Sequence, residues 1–321
     1  MGWTTGDMPA QRGRTAVVTG ATSGLGRSTV VALARAGATV VLATRDPDKT
    51  ASVMAEVRAG IRRADLHHVH LDLADLSSVR TAADDLHDRF ERLDLLVNNA
   101  GVMNTPLQRT ADGFELQFGV NHLGHFALTG LVVDLLADAA DPRVVTVSSG
   151  AARIGRIRWD DPNWESGRYW SWPAYAQSKL ANQLFALELH RRLRAARSPI
   201  ASLAAHPGFA ATDLQERGPR MRGGVRARLT TPLMRAGNAL FAQNADMGAL
   251  PQLFAGTAPT AASGHYYGPD GAFEQRGTPT EVDVVPAARD RADGRRLWEL
   301  SEHLTGVAWD LPDAASSVGA A

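Results

Sequence analysis

The residues with the clearest chemical potential are a phenol and an ammonium four positions apart, Tyr175-Ala-Gln-Ser-Lys179. On a helix, positions i and i+4 share a face, so the two side chains would meet. A phenol is a poor acid–base group near neutral pH because its unperturbed pKa is about 10. A neighbouring ammonium favours the phenolate and lowers that value. The pair therefore suits proton donation to a carbonyl oxygen in a reduction, or acceptance from an alcohol in an oxidation. The spacing alone is common by chance, and in isolation a half-buried Tyr beside a snorkelling Lys is the simpler reading. The surrounding segments have to decide.

The turn Thr19-Gly20-Ala21-Thr22-Ser23-Gly24-Leu25-Gly26 follows the apolar run TAVVTG (15–20) and opens into a helical pattern from Arg27 to Ala36. Glycines let a backbone turn tightly and approach a pyrophosphate, while free N–H groups and the positive helix end stabilise its charge. About 20 residues further on, a dinucleotide-binding fold reads the adenosine ribose, with a carboxylate for NAD or an Arg for NADP. Here the second apolar run ends in Thr44-Arg45. The planar guanidinium of Arg45 favours NADP(H) over NAD(H), with the adjacent Asp46 as the counter-argument.

The order T-G-x-x-x-G-x-G, rather than G-x-G-x-x-G, resembles the short-chain dehydrogenase/reductase family. Further segments match in consistent order over residues 15–212: Asp72, Asn98-Asn99-Ala100-Gly101, Asn121 within FGVNHLGHF, RVVTVSS (143–149), Tyr175 and Lys179, His206-Pro207-Gly208, and Thr212. The resemblance implies that Gly20, Thr22, Ser23, Gly24, Leu25 and Gly26 cradle the cofactor, that Asp72 and Leu73 lie at its adenine, and that Asn99, Ala100 and Gly101 line it. It implies contacts from Pro207, Gly208 and Thr212 to the nicotinamide amide. By the same resemblance Tyr175 exchanges the proton and Lys179 also holds the nicotinamide ribose. Ser149 hydrogen-bonds the reacting oxygen, with Ser148 the alternative, and Asn121 supports a water-mediated relay to Lys179. The gap from Ser149 to Tyr175 is longer than in many members. That gap, with N-H-L-G-H-F and the stretch LWELSEHLTG (297–306), most resembles the retinol-dehydrogenase-like branch, which implies a reaction type rather than a substrate.

These residues need a scaffold, and the chain alternates β-branched runs with helical patterns, the signature of βαβ units. Strands are expected at 15–20, 38–44, 66–72, 93–101, 143–149 and 199–208, with GHYYG (264–268) closing the edge as a seventh. Helices are expected at 27–36, 47–59, 76–90, 112–139 as one long helix, and 174–195. The fold class is α/β, a Rossmann-like doubly wound parallel sheet of about seven strands in three layers. Residues 14–310 form one domain, with a flexible leader (1–13), an insert (151–173), a substrate lid (213–245) and a fraying tail (311–321).

Lys plus Arg and Asp plus Glu each number 34, which gives no reason to expect nucleic acid or an anionic membrane as partner. Cysteine is absent, which excludes disulfides, thiolate catalysis and cysteine-bound zinc. The first ten residues have no signal-peptide pattern, and no stretch approaches the ~20 apolar residues that span a bilayer, so a cytoplasmic enzyme is expected.

Other features carry less. His67, His68 and His70 read as a solvated strand end, since neighbours on a strand face opposite ways. His122 and His125 share a helix face but have no evident third ligand, so no metal is expected. Four of the seven tryptophans fall in the insert, which either packs on the domain or forms an apolar substrate wall. Arg217, Arg220, Arg222, Arg226 and Arg228 on the lid could meet an anionic substrate, though a solvated face is the simpler reading and a membrane-surface helix the third. The expected function is NADP(H)-dependent hydride transfer to or from a carbonyl or alcohol of a lipophilic small molecule. The alternatives are an epimerase or C=C reductase on the same fold, or an NADP-binding regulator without turnover. Family members pair as dimers or tetramers, and the insert lies beside one of the helices they use.

Overall fold

The computed structural model describes residues 2–209 and 243–311. Eight strands form one sheet in the order β3-β2-β1-β4-β5-β6-β7-β8. They are β1 Thr15–Thr19, β2 Thr39–Thr44, β3 Asp65–His70, β4 Leu95–Asn98, β5 Arg143–Val147, β6 Ala201–Ala205, β7 Tyr266–Pro269 and β8 Pro279–Val282. The first seven run parallel, and the order reverses direction between β1 and β4. In such sheets ligands bind outside the carboxyl ends of the strands at that switch point.

Strand side chains alternate between two apolar layers, as a sheet covered on both faces requires. Val17, Leu96 and Val144 point into one, against α3 (Leu76–Arg89), α5 (Gly124–Leu131) and α7 (Ser171–Ala195). Their neighbours Val18, Val97 and Val145 point into the other, against α1 (Gly24–Arg35), α2 (Pro47–Gly60) and α8 (Ala245–Thr257). Among the described residues no helix is long and apolar enough to cross a membrane.

The structure corrects three expectations. The GHYYG strand is not the edge: β8 pairs antiparallel with β7, from Tyr266 opposite Val282 to Pro269 opposite Pro279. Four residues starting with a proline and carrying Glu281 outward make a weak signal, and they suit an edge because proline donates no ladder bond. The helix expected over 112–139 is broken into α4 (Leu116–Phe118), a π-turn (Gly119–Leu123), α5 and α6 (Val133–Ala137), with Val132 outside helical geometry at φ −121°. The leader, expected to be flexible, is seen packed. Trp3 meets Phe254 edge-on at 5.4 Å, and Gln11 is buried, its backbone N–H donating to the Ala36 carbonyl.

Beyond β8, the final helix α9 (Arg291–Thr305) lies on α7, and Trp298 inserts among Phe126, Phe185 and Trp309 with ring centroids 4.6–6.0 Å away. Truncating a buried aromatic side chain forfeits transfer free energy and opens a cavity. Trp298→Ala is expected to destabilise the fold by about 3–5 kcal/mol, measured as a shift in denaturant midpoint with an unchanged slope.

Candidate functional site

Tyr175 and Lys179 lie one turn apart near the start of α7, both buried. The Lys179 ammonium is 5.9 Å from the Tyr175 ring centroid and donates to the Val147 carbonyl, at the end of β5, at 3.0 Å. Burial dominates both groups. It pushes the phenol up to about 12 against a hydrogen bond with Ser149 that pulls it down, and it brings the ammonium down to about 8. Loss of water therefore moves the phenol in the direction opposite to the lowering expected from a neighbouring ammonium.

The two serines diverge. Ser148 turns into the core and donates to the Lys179 backbone carbonyl at 2.8 Å. Ser149 caps the short 3₁₀ turn Gly150–Ile154, accepting from the Ala151 N–H at 3.2 Å, and its hydroxyl reaches the Tyr175 phenol. Ser149 is thus the serine at the phenol. Asn121 sits in the π-turn, and its side chain is clamped by the residue after the Asn-Asn-Ala-Gly turn. Oδ1 accepts from the Val102 N–H at 2.8 Å, while Nδ2 donates to the Val102 carbonyl and to Ser178 Oγ, each at 2.9 Å. Gly101 closes the gap: a β-carbon there would stand 3.2 Å from Asn121 Oδ1 and 3.7 Å from Lys179 Nζ.

The Gly-rich turn presses directly on the β4 turn. Gly20 has φ +67°, and a β-carbon would lie 2.9 Å from Ala100 Cα; one on Gly26 would collide with the Gly20 carbonyl and stand 2.7 Å from Asn99 Nδ2. Thr22, Ser23, Gly24 and Leu25 are half-buried at the mouth of α1, where helix N–H groups face outward. This shape fits a pyrophosphate, which needs close backbone approach and a positive helix end. At the end of β2, Arg45 is 72% exposed and reaches Asp72 Oδ2 at 3.5 Å. Asp46 is committed elsewhere: it caps α2 by accepting from the Lys49 N–H and pairs with the Lys49 ammonium at 2.8 Å. Leu73 is buried beside Asp72.

On the far side, Pro207 and Gly208 follow β6, half-buried. Thr212 and residues 213–242 of the expected lid lie outside the described residues. The ends of that stretch meet: the Gln243 N–H donates to the Phe209 carbonyl at 2.9 Å and Gln243 Nε2 to the Pro207 carbonyl at 2.6 Å. His206 pairs with Glu274 at 3.0 Å, and Arg153 pairs with the same carboxylate at 2.7 Å. These partners hold Glu274 below its ordinary pKa.

The insert divides in two. Trp164 is buried edge-on to Tyr169, whose hydroxyl donates to Glu115 at 2.8 Å, and Arg296 lies over Trp159. Trp170 and Trp172 remain 52% and 45% exposed, and the Trp172 ring is 5.5 Å from that of Tyr175. The first half packs on the domain; the second edges the site. Glu115 was not foreseen from sequence. It is fully buried, accepts from the Gln117 and Phe118 N–H groups at the start of α4, and burial raises its pKa.

The profile of the short chain dehydrogenase family matches residues 14–222. The chain belongs to this family. It is 39% identical to human retinol dehydrogenase 13 over 92% of its own length and 85% of that relative's. It is 41% identical to mouse polyprenol dehydrogenase over 94% and 86%. A crystal structure of an uncharacterized protein from Mycobacterium Paratuberculosis superimposes with a TM-score of 0.80 at 42% identity, covering 97% of this chain and all of that one. The retinol-dehydrogenase-like resemblance holds, and this short-chain dehydrogenase is an oxidoreductase of an NAD(P)-binding family.

Three residues of this short-chain dehydrogenase site carry bonds that sequence reasoning did not assign, although it had marked Thr19 within the turn motif and His125 beside His122 on a helix face. Thr19 Oγ1 accepts from the Asn99 and Ala100 N–H groups, each at 2.9 Å. Gln252, from distant α8, donates to Thr29 and to Asn99. His125 bonds Thr19, and with His122 it has protein partners rather than a shared ligand. Nothing in the sequence near Gln252 marks it; Thr19 stands within the turn motif itself.

Burial lowers His122 to about 3 and His125 to about 4. In the unfolded chain both return toward the ordinary histidine value of about 6.5, so below that pH the unfolded state takes up protons that the native state refuses. Stability is therefore complete above about pH 6.5 and lost as the pH falls toward the native values. Between pH 7 and 4.5 the two imidazoles should together withdraw on the order of 5 kcal/mol. Urea unfolding at both pH values measures this, and His122→Gln should recover about half of the loss.

Proposed function

We propose that this oxidoreductase is NADP(H)-dependent and moves a hydride between the nicotinamide and a carbonyl or alcohol of a lipophilic small molecule. The observation that carries the reading is the buried cluster in which the Tyr175 hydroxyl interacts with Ser149 and the Lys179 ammonium lies 5.9 Å from the Tyr175 ring centroid. The bound cofactor supplies the hydride. The protein supplies the proton and the geometry.

Tyr175 is protonated at neutral pH, its ordinary value raised by burial, so it stands ready to donate to a carbonyl oxygen in the reductive direction. Ser149 lies where it can hold that oxygen by a second hydrogen bond. Lys179, cationic at neutral pH, stabilises the phenolate that remains after donation. Asn121 is clamped by Val102 and Ser178 close to that ammonium, consistent with a role in returning the proton through water. Asp72 and Leu73 are at hand for the adenine, Asn99, Ala100 and Gly101 for the body of the cofactor, and Pro207 and Gly208 for its nicotinamide end.

Two observations support NADP(H). Arg45, at the end of β2, is 72% exposed and makes one long ion pair with Asp72 at 3.5 Å, which leaves donors of its planar fork for a 2′-phosphate. Asp46, the carboxylate that would favour an unphosphorylated ribose, is bound in a helix cap. The lipophilic substrate is supported by the half-exposed Trp172 beside Tyr175, and by relatives named for retinol and polyprenol.

Cofactor consumption over aldehydes and ketones graded by size and charge tests this reading. NADPH should be preferred over NADH in kcat/KM, and Arg45→Ala should erode that preference about tenfold, the loss of one charge-assisted contact. A clear NADH preference in the native enzyme would overturn the cofactor assignment. Tyr175→Phe should cut kcat by ~10²–10⁴ while leaving NADPH binding in place; an active variant would overturn the proton-transfer role.

A further inference from the structure

The buried imidazole of His125 joins the two halves of the site, and its bonding fixes which nitrogen carries the proton. Nδ1 lies 3.1 Å from the Asn121 carbonyl, which can only accept, so Nδ1 carries the hydrogen. Nε2 lies 2.8 Å from Thr19 Oγ1. That oxygen already accepts from the Asn99 and Ala100 N–H groups, which fills its lone pairs and leaves its own proton to give. Nε2 is thus the acceptor, and the ring is neutral. A second ring proton would point at an oxygen with no lone pair left, in a fully buried site within the field of the Lys179 ammonium.

We propose that His125 is a positioning residue that couples the cofactor turn to the proton-relay turn. One ring nitrogen orients the Asn121 backbone in the π-turn by bonding its carbonyl. The other, through Thr19, sets the Asn99-Ala100 turn against the Gly-rich loop. The single imidazole therefore holds two backbone segments in mutual register. The inference rests on the functional reading of Asn121 and of the Gly-rich loop given above.

Two substitutions separate the two arms. Asparagine places its amide where Nδ1 stands, so His125→Asn retains donation to the Asn121 carbonyl and loses Thr19. Glutamine places its amide where Nε2 stands, so His125→Gln retains Thr19 and loses the Asn121 carbonyl. The probes are NADPH, titrated to obtain Kd, and decanal, reduced under NADPH saturation to obtain kcat. His125→Asn should weaken NADPH binding about fivefold with kcat within about twofold of native, because the Thr19 hydroxyl falls back on the Val97 carbonyl, a poorer acceptor at 3.3 Å. His125→Gln should lower kcat about tenfold with Kd for NADPH nearly unchanged, the consequence of leaving one buried acceptor unpaired. Histidine ¹⁵N resonances of the native protein should show His125 as the neutral Nδ1–H form from pH 5 to pH 8. Parallel losses of Kd and kcat in both variants would reduce His125 to a packing residue and overturn the proposal, as would an Nε2–H tautomer or a titration between pH 5 and 8. Failure of the native enzyme to bind NADPH or reduce decanal would count against the functional reading instead, and the tautomer measurement would still decide the assignment of the two bonds.

Discussion

Two turns are brought into contact by the absence of side chains and held there by one hydroxyl. The chain leaving β1 crosses the chain leaving β4 with Gly20 against Ala100 and Gly26 against Asn99, and neither contact leaves room for a β-carbon. Thr19, the last residue of β1, fills the remaining space with an oxygen that takes both N–H groups of the opposite turn. Gly101 then faces Lys179 and Asn121, so the phosphate end of the site and the acid–base end are separated by one short turn of backbone. Any displacement of β1 relative to β4 would be felt at both. The doubly wound sheet serves this contact: it makes β1 and β4 neighbours across the switch in strand order, which opens a crevice at their carboxyl ends.

The electrostatics of the site follow from dryness more than from pairing. A phenol next to an ammonium would ordinarily acidify, yet here burial moves both groups toward their neutral forms, raising the phenol and lowering the ammonium, which stays cationic at neutral pH. The neighbouring imidazoles behave in the same way. A region that disfavours isolated charge is costly to maintain, but it makes each remaining dipole count for more, since the interactions are not screened by solvent. The aromatic packing behind the site, from Phe126 through Phe185 to Trp298, keeps it dry.

Much of this was legible in the sequence because it is written in local pattern. Apolar β-branched runs at regular spacing marked six parallel strands to within a few residues, and the turns following them carried the residues that the structure gathers at one end of the sheet. What was not legible depended on partners far away in the chain. The break around Asn121 is a case: nothing in FGVNHLGHF shows that Glu115 will start a helix only three residues long, or that the His125 ring will bond the Asn121 carbonyl. That Asp46 caps α2 was likewise not legible, since the cap is fixed by the course of the chain after β2. The choice between Ser148 and Ser149 turned on which of two adjacent side chains faces α7 from the core side. The tryptophans of the insert looked alike on paper and proved different in space, because Tyr169 and Glu115 anchor Trp164 and Arg296 covers Trp159, while Trp170 and Trp172 stay about half exposed.

The meeting of Phe209 with Gln243 has a bearing on how such a scaffold can diversify. Backbone and side-chain bonds join Pro207 and Phe209 to Gln243, so the chain that has left β6 and the chain about to enter α8 meet at one place. Closing a longer ring costs little more than closing a shorter one, with each doubling in length adding roughly 0.6 kcal/mol. The register of β6 with β7 is set outside the ring, at Ala204 opposite Tyr266 and Ala205 opposite Tyr267. A change in the number of residues between Phe209 and Gln243 would thus add little to the cost of that closure and leave the β6–β7 pairing where it is.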